Sequence, residues 1–173
     1  MKTFTFVMLS SAAAVAGCSD EADIGVDSDP ITCSDVGTAD VAGHVTDPFT
    51  NAGYDFDSAT PTAFDAPNTG GPTLQLAGAV DSPDTQASLL LRFSFYCGPA
   101  ELAKYGVRGD TQEGLDCPLQ VASAVLGRIE YLPAETGTLI VDDNANCLAG
   151  RFRVDFGSHG AIGGSFAAPW TQQ

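Results

Sequence analysis

Apolar and polar residues alternate along most of this chain with a period of two, the spacing of a strand that buries one face. The longest run covers residues 86–97. Ala87, Leu89, Leu91, Phe93, Phe95 and Cys97 share one face there, and Leu90, Arg92, Ser94 and Tyr96 share the other. Its length and aromatic content mark a central strand. Shorter runs cover 39–46, 52–59, 73–80, 137–142, 148–156 and 161–168. Tyr54 and Phe56 oppose Asp55 and Asp57 in the second of these runs, and Phe152, Val154 and Phe156 oppose Arg151, Arg153 and Asp155 in the fifth. Leu74, Leu76, Val80, Ile162 and Phe166 are further core candidates. Residues 118–132 carry helix-compatible residues over 120–126. Val121, Val125, Ile129 and Tyr131 nevertheless share a β face, and Gly127 suits a bulge, so the segment is read as strand.

Turn chemistry punctuates these runs. Asp47-Pro48 ends the first, because proline cannot donate to a ladder. Pro61, Pro67, Asn68, Gly70, Gly71 and Pro72 predict a long surface loop over 60–72. Asp81-Ser82-Pro83-Asp84 predicts a tight turn. Residues 143–146 predict a hairpin turn joining two strands of a C-terminal three-stranded meander. The one convincing helical stretch is 99–105, with Pro99 at its first position and Gly106 as its stop. The expected fold is therefore all-β: an antiparallel β-sandwich or partly open barrel of about eight strands with one short helix. The 19 Gly and 10 Pro agree with many turns and little helix.

The first eighteen residues break this pattern. Met1 and Lys2 supply positive charge, and an apolar stretch runs from Phe4 to Val15. As a helix it is about 18 Å long, where a membrane span needs roughly 20 residues. It reads as the hydrophobic region of an export signal. Small residues close it in Val15-Ala16-Gly17-Cys18. In this motif the chain resembles bacterial lipoproteins, whose lipobox is an aliphatic residue, two small residues and a cysteine. The resemblance implies diacylglyceryl transfer to the Cys18 thiol, cleavage of 1–17 as signal peptide, and acylation of the new amine with a fatty acid such as palmitate. Buried acyl chains contribute about 0.8 kcal/mol per CH₂, so two or more chains hold a protein on a membrane stably. Ser19 after the cysteine implies the outer membrane rather than the inner, at its periplasmic face or the cell surface. The C-terminal meander has only a generic likeness to small β-rich lipoproteins, and that likeness carries no activity.

Residues 18–31 follow as a lipidated cysteine and an acidic, aromatic-free spacer, SDEADIGVDSDP from Ser19 to Pro30. Residues 32–173 form one β-rich domain. Without residues 1–17 the chain keeps 156 residues, enough for a real core. It then has six basic and 22 acidic residues, a net of −16. That balance argues against nucleic acid and anionic headgroups as partners. It favours solubility and would suit a cation or a basic partner.

Five cysteines divide into one for lipid and four for bridges. An exported chain with Cys33, Cys97, Cys117 and Cys147 implies two disulfides, and three pairings are open. The reading adopted joins Cys97 to Cys117 and Cys33 to Cys147. None of the four sits in a CxxC pair, so no zinc site is expected.

Catalytic signatures are missing from the sequence. Asp142, Asn144 and Asn146 place oxygens at alternate positions, as a calcium loop does. Cys147 and Arg153 stand where an EF-hand needs glycine and a terminal acid. A looser Ca²⁺ turn is the alternative there to a plain hairpin turn. His44 and His159 are the only imidazoles; the first reads as a packed or edge strand residue, the second as a loop residue. No GxSxG elbow, phosphate loop or dinucleotide fingerprint is present. Tyr54, Tyr96, Tyr105, Tyr131 and Trp170 could form a sugar-stacking surface, although alternating aromatics more often make a core. The expected function is a lipid-anchored extracytoplasmic envelope protein with a structural or interaction role, without catalytic residues, metal or cofactor. A binding module for carbohydrate or a divalent cation is the alternative, and an envelope hydrolase the third reading. The expected partners are a membrane through the lipid and a protein or glycan, with no nucleic acid.

Overall fold

Where the alternation is strongest, strands form and pair antiparallel. The computed structural model describes residues 29–66, 71–80, 87–95, 100–109, 121–127 and 131–171. Eleven strands lie among them: β1 (Thr38–Thr46), β2 (Gly53–Phe56), β3 (Ala59–Ala66), β4 (Gly71–Val80), β5 (Ala87–Phe95), β6 (Lys104–Arg108), β7 (Val121–Gly127), β8 (Tyr131–Pro133), β9 (Thr136–Asp143), β10 (Cys147–Asp155) and β11 (Gly160–Pro169). The hydrogen-bonded order is β2-β1-β11-β10-β9-β6-β7-β5-β4-β3, with β8 beside β7.

Every pairing in that order is antiparallel except β6 with β7, which is parallel. This junction joins two antiparallel sheets. The first is β2-β1-β11-β10-β9-β6, and the second is β7-β5-β4-β3 with β8. They face one another as a sandwich. Phe93 of β5 meets Phe152 of β10 edge-on, with ring centroids 5.1 Å apart, and Phe152 contacts Phe166 of β11. The Phe56 ring of β2 reaches the opposite sheet at Gly78, where a Cβ would lie 2.5 Å from it. Glycine is needed there because the ring occupies the side-chain position. At the outer margin β3 touches the end of β11 through one bridge, Ala63 to Trp170, and the Thr171 N–H donates to the Ala63 carbonyl. The sheets do not close into a barrel.

Leu74, Leu76, Leu91, Phe93, Leu139, Leu148, Phe152, Val154 and Ile162 are fully buried between the sheets. Truncating one of the central phenylalanines would typically cost about 3–5 kcal/mol. The inward residues predicted for the C-terminal meander, Phe152, Val154, Phe156, Ile162 and Phe166, all lie in this core.

Three expectations are corrected. Eleven strands replace about eight. The expected helix over 99–105 does not form over its described residues: Ala100 to Ala103 are irregular and β6 begins at Lys104. A seven-residue segment is too short to hold a helix without packing. Here packing selects extended backbone, because Tyr105 and Val107 alternate into the core while Lys104, Gly106 and Arg108 face outward. The expected loop over 60–72 instead holds β3 and the start of β4. Pro61 and Pro72 were the misleading signals. Pro61 sits in the last strand of the order, where a ladder donor is dispensable, and Pro72 sits at the beginning of its strand.

Candidate functional site

The outer face of the first sheet carries two polar constellations, one at each end of its strands. The first lies where the N-terminal segment meets the domain. Cys147 begins β10 and points outward, and its sulfur is bonded to that of Cys33 at 2.04 Å. This is one of the two disulfides expected. Cys97, Cys117 and the lipidation candidate Cys18 lie outside the described residues.

The hairpin turn between β9 and β10 completes this latch. Arg151 donates through Nε to Asp142 Oδ2 at 3.0 Å and through Nη2 to Asp142 Oδ1 at 3.1 Å. Two parallel N–H···O bonds make a fork-to-fork pair, the strongest carboxylate geometry available to arginine. Both side chains are buried, with exposures of 10% and 7%. Asp142 Oδ2 also accepts the backbone N–H of Ile31 at 3.1 Å. Asp143 accepts the N–H of Cys33 through one oxygen and the N–H of Ala145 through the other. Asn144 donates its amide to the carbonyl of Ala100.

The residues that resemble a calcium turn are thus engaged within the protein. Asp142 and Asp143 hold the N-terminal segment, and Asn144 holds the approach to β6. Asn146 is exposed at the turn. Among the described residues no three His, Cys, Asp or Glu side chains are grouped as a metal site would need. Beneath the latch, Cys147, Ala149 and Ala167 pack with Ile31 and Cys33 as a small second core. Ala149 and Ala167 belong to the outer face of the sheet, and the N-terminal segment is what buries them.

The second constellation lies at the opposite end, around the β1–β2 hairpin. His44 Nδ1 is 2.7 Å from Asp55 Oδ1. The hairpin register pairs these two residues directly. The imidazole also lies over Gly53, where a Cβ would sit 2.8 Å from its Cε1. The pair is open to solvent, with exposures of 58% and 85%. In the hairpin loop Asp47 Oδ1 accepts the N–H groups of Phe49 and Thr50 at 2.7 and 2.9 Å. Those donors, that of Thr50 first, hold the Asp47 carboxyl below its ordinary value of 3.8, and the His159 imidazole adds a smaller effect in the same direction. Phe49 projects from this loop with 71% of its surface exposed. His159 lies nearby in a 3-10 turn, Gly157–His159. His44 and Asp55 share the acid–imidazole geometry of a hydrolase, but on an open sheet face.

The aromatic candidates are dispersed. Tyr105 is buried edge-on to Phe95, its hydroxyl donating to the Glu101 carbonyl and accepting the Glu101 N–H. Burial raises its phenol above the ordinary 10.0, an effect partly offset by the Glu101 N–H. Tyr54 packs half-buried on the core, and Trp170 is partly exposed after β11. Tyr96 and the side chain of Tyr131 lie outside the described residues.

Sequence reading missed the Arg151–Asp142 pair and the His44–Asp55 pair. The second had a signal: His44 and Asp55 are equidistant from the middle of the turn that Asp47-Pro48 announces, so a regular hairpin places them opposite each other. The first depends on a bulge between Ala149 and Gly150 that shifts the β9–β10 register, and nothing in the residue pattern locates it. Comparison with protein-family models, with curated proteins and with solved structures gave no match.

Proposed function

We propose that this chain is a lipid-anchored extracytoplasmic protein of the bacterial envelope whose β-sandwich has a structural or interaction role. The observation that carries the reading is the sequence Val15-Ala16-Gly17-Cys18 after an apolar stretch too short to span a bilayer. The Cys33–Cys147 disulfide supports it, because such bonds persist in oxidising compartments outside the cytoplasm. The latch also suits a tethered domain. It ties the chain arriving from Cys18 to β10, an interior strand of the first sheet, by a covalent bond and a buried ion pair. Ser19 directs the anchored form to the outer membrane.

Growth of producing cells with a labelled fatty acid tests the reading. The mature protein should carry the label and fractionate with outer membrane, and Cys18→Ser should lose both. Label retained by that variant, or absent from the native chain, would overturn it.

A further inference from the structure

The outer face of the second sheet differs in chemistry from that of the first. Leu74, Leu76, Leu91 and Phe93 point into the core, so Thr73, Gln75, Arg92 and Ser94 between them point outward. The registers set the outward side chains in adjoining rows: Thr62, Gln75 and Arg92 in one, Thr73 and Ser94 in the next. At about 4.8 Å between strands and 6.8 Å per two residues, the five fall within roughly 10 by 7 Å. The outward positions of the described β3, β4 and β5 residues hold no Asp or Glu, although the chain carries 22 acidic residues. The first sheet, by contrast, mixes Asp55, Asp142 and Asp155 with Arg151 and Arg153 on its outer face.

Arg92 is the one charge among those outward positions. Its Nε is buried and has no hydrogen-bond partner among the described residues, and no ion pair among them includes it. A buried donor left unpaired costs free energy, and a native structure keeps one where something else supplies the acceptor. We propose that this face binds a sugar acid, with the ligand's carboxylate on Arg92 and its hydroxyl groups on Thr62, Gln75 and Ser94. The Nε–H and the neighbouring Nη–H of a guanidinium form a fork that matches two carboxylate oxygens. The flanking amide and hydroxyl groups both donate and accept, as sugar hydroxyls require. Thr73 and Ser94, with 2% and 8% of their surface exposed, form the floor of the patch, and Thr62, Gln75 and Arg92 stand half-buried beside them. Strands β4 and β5 are interior in the sheet order, so their backbone groups are committed to neighbouring strands. An extended peptide would need such groups for strand addition. Recognition here falls to side chains, which suits a sugar acid better than a peptide carboxylate.

The arginine Nε–H resonances of the isotope-labelled full chain test this, that of Arg92 being identified by its loss in Arg92→Lys. Glucuronic acid, trigalacturonic acid and N-acetylneuraminic acid are titrated in turn. At least one should move the Arg92 signal saturably, and neutral glucose and galactose should leave it in place. Arg92→Gln should weaken the binding about tenfold or more, and Gln75→Ala with Ser94→Ala should weaken it several-fold. Arg92→Met should melt no lower than the native chain, because the fold itself gives Nε no partner. A signal that none of the three acids moves would overturn the proposal. Equal shifts with acetate, or with a short peptide ending in a free carboxylate, would also overturn it, by showing that the sugar hydroxyls contribute nothing. So would a lowered melt of Arg92→Met, which would assign Arg92 to the fold.

Discussion

Two pairs of a basic side chain with an aspartate sit on the same outer sheet face at almost the same separation, Arg151–Asp142 at 3.0 Å and His44–Asp55 at 2.7 Å. Distance does not distinguish them; surroundings do. The first is covered by the N-terminal segment and keeps 10% and 7% of its side-chain exposure, whereas the second keeps 58% and 85%. A buried pair must have nearly all its polar atoms satisfied, and Asp142 meets that demand with a two-pronged arginine and a backbone N–H. An exposed pair exchanges freely with water and gains little from its geometry. The same chemistry therefore acts as an anchor at one end of the strands and as a surface feature at the other.

The largest break in this contrast should come from Arg151→Ala. It leaves the Asp142 carboxylate buried beside apolar residues, and loss of one partner of a buried pair typically costs about 3–5 kcal/mol. Replacing both residues by apolar ones, Arg151→Met with Asp142→Leu, should restore most of that loss. Urea unfolding of the three proteins measures it, and a single variant that unfolds like wild type would show the pair to be unimportant. Cys33→Ser with Cys147→Ser should follow, at about 2–4 kcal/mol, because the bond closes a long loop between residues 114 apart. A protease digest should also find Ile31 to Val36 more readily cut in that variant. His44→Ala and Asp55→Ala should each change stability by less than about 1 kcal/mol, as exposed pairs do. A thermal melt shifted by more than a few degrees would mean that the pair supports the hairpin.

The smallest effect belongs to Asp47. Its folded carboxyl titrates below the ordinary 3.8, so its contribution is fully present above that value and fades as pH falls through the lower folded value. Acid titration followed by the fluorine signal of a labelled Phe49 should show the loop loosening only below about pH 3.8. Loosening at higher pH would assign the loop's order to another group.

Much of the sandwich was legible because its strands bury alternate residues. Phe93, Phe95, Phe152, Val154 and Phe166 face inward as their spacing requires. Legibility ended where local preference and packing disagree. Residues 99–105 have helical composition, yet Tyr105 and Val107 are pulled between β9 and β7. Pro61 and Pro72 look like loop residues until their place at a sheet margin and a strand start is known. Of the candidate site, the Cys33–Cys147 pair was one choice among three, and the β9–β10 turn read as a plain hairpin turn, with Asp142, Asn144 and Asn146 as an alternative cation turn, rather than as a source of acceptors for Ile31 and Cys33.

By itself the sequence determined the β class and the inward faces of the C-terminal strands, and it carries the acidic composition of residues 19–30 and the motif ending at Cys18. Each follows from neighbours in the chain: alternation, turn residues, charge and a short apolar run. Only the tertiary structure decided which strands adjoin, which aspartate meets Arg151 and which cysteine meets Cys33. Those partners lie 9 and 114 residues apart. One contact depends on a bulge and the other on the placement of the N-terminal segment against the outer face of the sheet. Local pattern encodes neither, because both are settled by how the assembled strands bury the groups that remain.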